Sequence, residues 1–159
     1  LATLPSNDGE AQFVIELGAP VEYALETGYE SAIHLRGRYW DGGEQTFPLS
    51  TSISGLWLSA PSLTSLRDHI SQWLRQPLRH LIADDLSAGF ELAQLYNQSV
   101  HVRFGRRDDT ISDMKPVVTI AFLAGALQGE FHFVTDQSCL ALFVEELSAE
   151  ISSSHEIGG

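Results

Sequence analysis

The chain has 159 residues, 43% hydrophobic and 19% charged, which describes one ordinary globular domain and excludes a disordered, collagen-like or coiled-coil chain. Nine Lys and Arg against 21 Asp and Glu give a net charge of -12, a balance that repels phosphate backbones and anionic leaflets, so nucleic acid and membrane are not expected as partners. Cys139 is the single cysteine, which rules out an intramolecular disulfide and a cysteine-built zinc site; a reducing, cytoplasmic setting is the expectation, and no apolar run approaches the roughly 18–20 residues of a membrane-spanning helix.

Residues 1–10 and 152–159 are polar and punctuated by Pro, Gly and Ser, so both ends are expected to be flexible around an ordered core of about 11–151, in a single domain over 1–159. From residue 13 the pattern alternates with period 2: Phe13, Ile15 and Leu17 against Val14 and Glu16, then Ile33, Leu35, Gly37 and Tyr39 against His34, Arg36, Arg38 and Trp40. Further strands are expected at 45–49 and 53–58, with Asp41-Gly42-Gly43 turning a hairpin because glycine reaches positive φ without a Cβ clash.

The period then changes to 3.6. Leu63, Leu66, Ile70, Trp73 and Leu74 form one stripe of a helix over about 62–76, stopped by Pro77. Period 2 returns at 89–95, 99–104, 117–123 and 127–134, the last pair joined at Ala124-Gly125. A second helix over about 137–151, capped by Thr135 or Asp136, turns Leu140, Phe143, Val144, Leu147 and Ile151 inward and Glu145, Glu146 and Glu150 outward. The expected fold is α+β, a mostly antiparallel β-sheet of six or more strands packed against two amphipathic helices.

Motifs for chemistry are sparse. The phosphate-loop, dinucleotide-binding, nucleophile-elbow and zinc-protease patterns do not occur in the sequence. Asp68-His69 occupies adjacent helical positions about 100° apart, unsuited to an acid–base pair and read as surface. Glu130 and His132 share one face of a strand, where a cross-strand pairing with residues such as Thr119 competes with metal ligation. Cys139 falls in the first turn of a helix, where the dipole favours a thiolate, but its leucine neighbours suit an inert buried thiol. The basic group Arg103, Arg106, Arg107 and Lys115 is interleaved with Asp108, Asp109 and Asp113 and reads as a solvated hairpin tip. No cofactor, metal or catalytic set is expected, and the chain is read as non-enzymatic.

Charge is the more informative feature. Residues 1–30 and 116–159 each hold six carboxylates and neither Lys nor Arg; all nine cations lie between Arg36 and Lys115. Such a field steers a basic protein partner into encounter. The hairpin carrying Tyr39, Trp40, Asp41 and Glu44 joins aromatic to acidic side chains, and these four are the expected partner-binding residues.

The order of these elements (strands at 13–17, 33–40 and 53–58, the helix with Leu66, Ile70 and Leu74, strand pairs around Phe90 to Phe104 and Val117 to Phe133, and the helix after Thr135-Asp136-Gln137) resembles the WapI-type immunity proteins. The likeness covers about residues 11–151 and rests on pattern rather than on an invariant motif. The resemblance implies a cytoplasmic, non-enzymatic bacterial antitoxin that neutralises a cognate toxin domain, with no catalytic residues to carry over. The Arg103 to Arg107 turn and both chain ends depart from that layout. Two other expectations stay open: a protein-interaction or regulatory module with another partner, and a small-ligand enzyme using a pocket between sheet and helices around His101, His132 and Cys139.

Overall fold

The computed structural model describes residues 1–40, 42–77, 83–105 and 115–158, without the side chains of 39, 40, 83, 84 and 155–158. Its elements run β1 (Ala2–Pro5), β2 (Gln12–Tyr23), β3 (Glu26–Trp40), β4 (Thr46–Ser59), α1 (Ala60–Leu74), α2 (Ala83–Leu86), β5 (Ala88–Leu95), β6 (Gln98–Gly105), β7 (Val117–Ala124), β8 (Leu127–Val134) and α3 (Gln137–Gly158). The α+β architecture expected from the period changes is present. All strand pairs are antiparallel, and the strands divide into two four-stranded sheets, β1-β2-β3-β4 (sheet A) and β5-β6-β7-β8 (sheet B), rather than forming one. Each half of the chain is thus four strands in simple succession followed by a helix.

Alternation decides the faces. Phe13, Ile15, Ile33, Leu35, Leu56 and Leu58 line the inner face of sheet A; Val100, Val102, Phe104, Val118 and Ile120 line that of sheet B. They join Leu63, Leu66, Ile70 and Trp73 of α1 and Leu140, Phe143 and Leu147 of α3 in one continuous cluster. Helix α1 starts at Ala60, two residues earlier than the apolar stripe indicates, because Ser59 is the N-cap and its Oγ accepts from Ser62 N, with a proline inside the first turn. Asp136 caps α3, its Oδ1 accepting from Cys139 N at 2.9 Å.

Both chain ends differ from expectation. Ala2 and Leu4 are buried and pair with Ile15 and Phe13, so the start of the chain is the edge strand of sheet A. At the other end the helix continues beyond Ile151, and Ser154 is buried. Helix α3 packs across β1 and β2 rather than onto the sheet that precedes it. This contact redirects two side chains expected to face solvent: Glu146 Oε1 accepts from Thr3 N at 3.0 Å, and Glu150 Oε2 accepts from Leu17 N at 2.9 Å. Thr3 lies on the edge strand β1 and Leu17 on β2 just past the residues that β1 pairs, so both N–H groups lack a strand partner on that side and these carboxylates satisfy them. Glu145 alone of the three is exposed. Among the described residues no helix is long and apolar enough to cross a membrane.

Candidate functional site

The outer face of sheet A carries a row of three side chains. Glu16 of β2, His34 of β3 and Ser52 of β4 meet with His34 Nε2 3.0 Å from Glu16 Oε2 and Nδ1 2.8 Å from Ser52 Oγ. Because a carboxylate only accepts, Nε2 carries the proton toward Glu16, and in the neutral ring Nδ1 accepts from the Ser52 hydroxyl. His34 and Ser52 are direct cross-strand partners, whereas Glu16 reaches diagonally from beside Val14. The sequence reading missed this row, since the three residues are 18 apart and only strand register unites them. Arg38 extends the same polar face: Nε and Nη2 donate to Thr46 Oγ1 at 3.1 and 2.9 Å, and Nε lies 3.6 Å from Glu10.

A cleft of about 580 Å³ opens between β3 and β8, with Asp8, Glu10, Arg38, Lys115 and His132 at its polar wall and Phe131 on its apolar side. Gly37 makes room for it, as a Cβ there would meet the Phe131 ring at 3.2 Å. Its floor is the 6–11 loop, where Asp8 Oδ1 accepts from Ser6 Oγ at 2.6 Å and from Glu10 N at 3.0 Å. Those bonds, the Ser6 one foremost, hold the Asp8 carboxyl below its ordinary value.

The outer face of sheet B has a second, shallower depression of about 500 Å³ beside His101, whose Nδ1 lies 2.9 Å from Glu91 Oε1 without aligning as a hydrogen bond. Glu130 sits across from Ala121, one strand further over. His132 faces Thr119 directly, so exposed His132 belongs to a cross-strand row on the outer face of sheet B whose middle residue, Thr119, is buried, and Glu130 lies in the next row. Arg103, on the far side of Thr119, completes the His132 row. Arg106, Arg107, Asp108, Asp109 and Asp113 lie outside the described residues, while Lys115 borders the larger cleft.

Asp68 and His69 diverge: Asp68 pairs with Arg67, and His69 Nε2 bonds the carbonyl of Leu86 at 2.8 Å, holding α2 to α1. Burial, reinforced by Asp136, pushes the Cys139 thiol up, against the helix-dipole effect, and its Sγ contacts Ser6 O at 3.9 Å. His101, His132 and Cys139 therefore occupy three different surroundings and do not build a common pocket between sheet and helices. Among the described residues no three His, Cys, Asp or Glu side chains are placed to hold a metal.

Of the expected partner-binding residues, Tyr39 and Trp40 pair through their backbones with Phe47 and Thr46. Their side chains, and Asp41, lie outside the described residues; Glu44 is exposed in the turn.

At the opposite end of sheet A the outer face is aromatic. Trp57 lies over Gly28, donates Nε1–H to Val21 O at 2.8 Å, and stands 6.0 Å from the Tyr23 ring. Gln98 of sheet B fixes the same strand, accepting from Trp57 N and donating to Gly55 O at 2.9 Å.

No family model and no curated protein matches the sequence. Among solved structures, WHY3 from Arabidopsis thaliana is similar over 88% of this chain and 80% of that one, with 11% identity and a TM-score of 0.40.

Proposed function

We propose that this protein is a non-enzymatic acidic binder of a basic protein partner, most concretely an immunity protein that neutralises a cognate bacterial toxin in the cytoplasm. One observation carries the reading. The two cation-free stretches, 1–30 and 116–159, lie far apart in sequence, yet α3 packs on β1 and β2 and so joins them in space. Carboxylates of the two stretches are thereby brought near one another along the contact of α3 with β1 and β2, and a local excess of negative charge accelerates encounter with a cationic surface.

Coexpression with the toxin-like product of a neighbouring gene tests it. Rescue of growth is expected, with association slowed by salt more than dissociation is hastened. Failure to rescue, or substrate turnover by this chain alone, overturns the reading.

A second reading is favoured by the Glu16, His34 and Ser52 row, which follows the nucleophile–base–acid order of serine hydrolases with the two ring nitrogens exchanged, Ser52 on Nδ1 and Glu16 on Nε2. Against it, the row lies on an open sheet face, and strand N–H groups committed to ladder pairing are not free to stabilise an oxyanion. Covalent labelling of Ser52 by a fluorophosphonate, lost in His34→Ala, would establish the hydrolase; absence of labelling leaves the row as a cross-strand ladder.

A further inference from the structure

The tip of the β2–β3 hairpin is built against the interests of the isolated fold. Its two central residues, Ala24 and Leu25, have φ of 51° and 67°, a left-handed conformation that penalises any residue with a Cβ. Leu25 is also 102% exposed, so its side chain contributes no packing in return. Val21 and Tyr23 are exposed beside it, at 43% and 56%. Trp57, in contrast, is held rigidly: a Cβ on Gly28 would meet its ring at 2.2 Å, and its N–H is fixed on Val21 O. Strand register puts Val21, Tyr23, Glu26, Glu30 and Trp57 on one face. The aromatic pair is therefore preorganised between two exposed carboxylates, with Glu22 exposed on the same hairpin.

We propose that this end of sheet A docks a basic segment of a partner protein. An arginine or lysine of that segment stacks on Trp57 and Tyr23 between Glu26 and Glu30, and an apolar side chain beside it covers Leu25 and Val21. The carboxylates select the occupant: a second copy of this chain would set its own Glu22, Glu26 and Glu30 against them, and a nucleic acid would bring phosphates. The proposal rests on the reading of the protein as an acidic binder and gives that binder a contact surface.

The test uses the full chain and three synthetic peptides of equal length: alternating Lys and Leu, alternating Glu and Leu, and alternating Lys and Ser. Titration is followed by calorimetry, and by tryptophan fluorescence. The Lys/Leu peptide is expected to bind most tightly. Replacing the tip by Ala24→Asn with Leu25→Gly is expected to weaken it at least tenfold while raising the melting temperature, a combination that a purely structural tip cannot produce. Glu26→Gln with Glu30→Gln is expected to weaken binding and flatten its salt dependence, whereas Glu145→Gln on α3 leaves it unchanged.

Equal binding of the Glu/Leu or the Lys/Ser peptide overturns the proposal, as does self-association of the parent that the tip variant abolishes. Lys/Leu binding that survives the tip substitutions overturns this surface and leaves the acidic-binder reading standing. Failure of the parent to bind either basic peptide counts against both.

Discussion

The β2–β3 and β7–β8 hairpins are close counterparts in the two halves of the chain, and they solve the same problem differently. Each has a two-residue loop, closed by Tyr23 opposite Glu26 in one and Ala124 opposite Leu127 in the other. Each seats an aromatic ring over a strand glycine, Trp57 on Gly28 and Phe122 on Gly129. In sheet B the residue with positive φ is Gly125, at 59°, where a glycine at the first loop position suits the right-handed strand twist. In sheet A the loop residues are Ala24 and Leu25, both left-handed. One turn carries the residue its geometry favours; the other bears conformational strain and a solvated leucine together. The contrast separates a turn whose residue suits its geometry from one whose residues do not.

The comparison can be broken most forcefully at the two seated rings. Gly28→Val and Gly129→Val should each cost about 1–3 kcal/mol by overpacking, measured from urea midpoints. The Gly28 change should be the larger, because the added atom lands 2.2 Å from the ring rather than 2.6 Å and also displaces the Trp57 bond to Val21. Next comes the orthodox turn: Gly125→Val should destabilise by about 1–2 kcal/mol, since a β-branched residue is forced to positive φ. The strained turn should respond with the opposite sign. Ala24→Asn with Leu25→Gly should stabilise by about 1 kcal/mol, or roughly 2–4 °C in melting temperature. A loss of stability there would show that the tip is optimised for the fold after all.

The smallest effect belongs to a third connection, the 6–11 loop between β1 and β2, where side-chain bonds of Asp8 and Ser6 supplement the backbone turn bond from Gly9 N to Ser6 O. The Asp8 carboxyl is depressed below its ordinary value of 3.8, chiefly by the Ser6 hydroxyl. Its contribution is therefore fully present above that value and is lost as pH falls through the lower folded one. The Glu10 amide resonance should titrate below pH 3.8, and Asp8→Asn should abolish that titration without altering either hairpin.

Local periodicity was a good guide where one face of an element is buried. Leu63, Leu66, Ile70 and Trp73 marked α1, and the alternation at 117–134 marked β7 and β8. It failed where burial comes from a distant partner. Ala2 and Leu4 sit in a four-residue strand containing Thr and Pro, too short for a period, and are buried because α3 returns over them. Glu146 and Glu150 looked like a solvent face because a helical wheel carries no record of a neighbouring sheet edge. Strand β4 reads as two pieces around the polar Ser50 to Ser52, which face solvent or the sheet edge within one continuous strand. Division into two sheets was equally hidden, since alternation gives the faces of a strand but not its neighbours. For the same reason the row of Glu16, His34 and Ser52 could not be read from spacing.

The placement of α3 also sets an order of events during synthesis. Its bonds to the first two strands join residues 143 and 133 positions apart, whereas successive hairpins can close sheet A as soon as its own four strands emerge. At about 5–20 residues per second, the apolar face carrying Phe13 and Ile15 then waits on the order of ten seconds for the helix that covers it. Vectorial emergence from the ribosome thus leaves a nascent sheet with one apolar side uncovered until α3 packs on it.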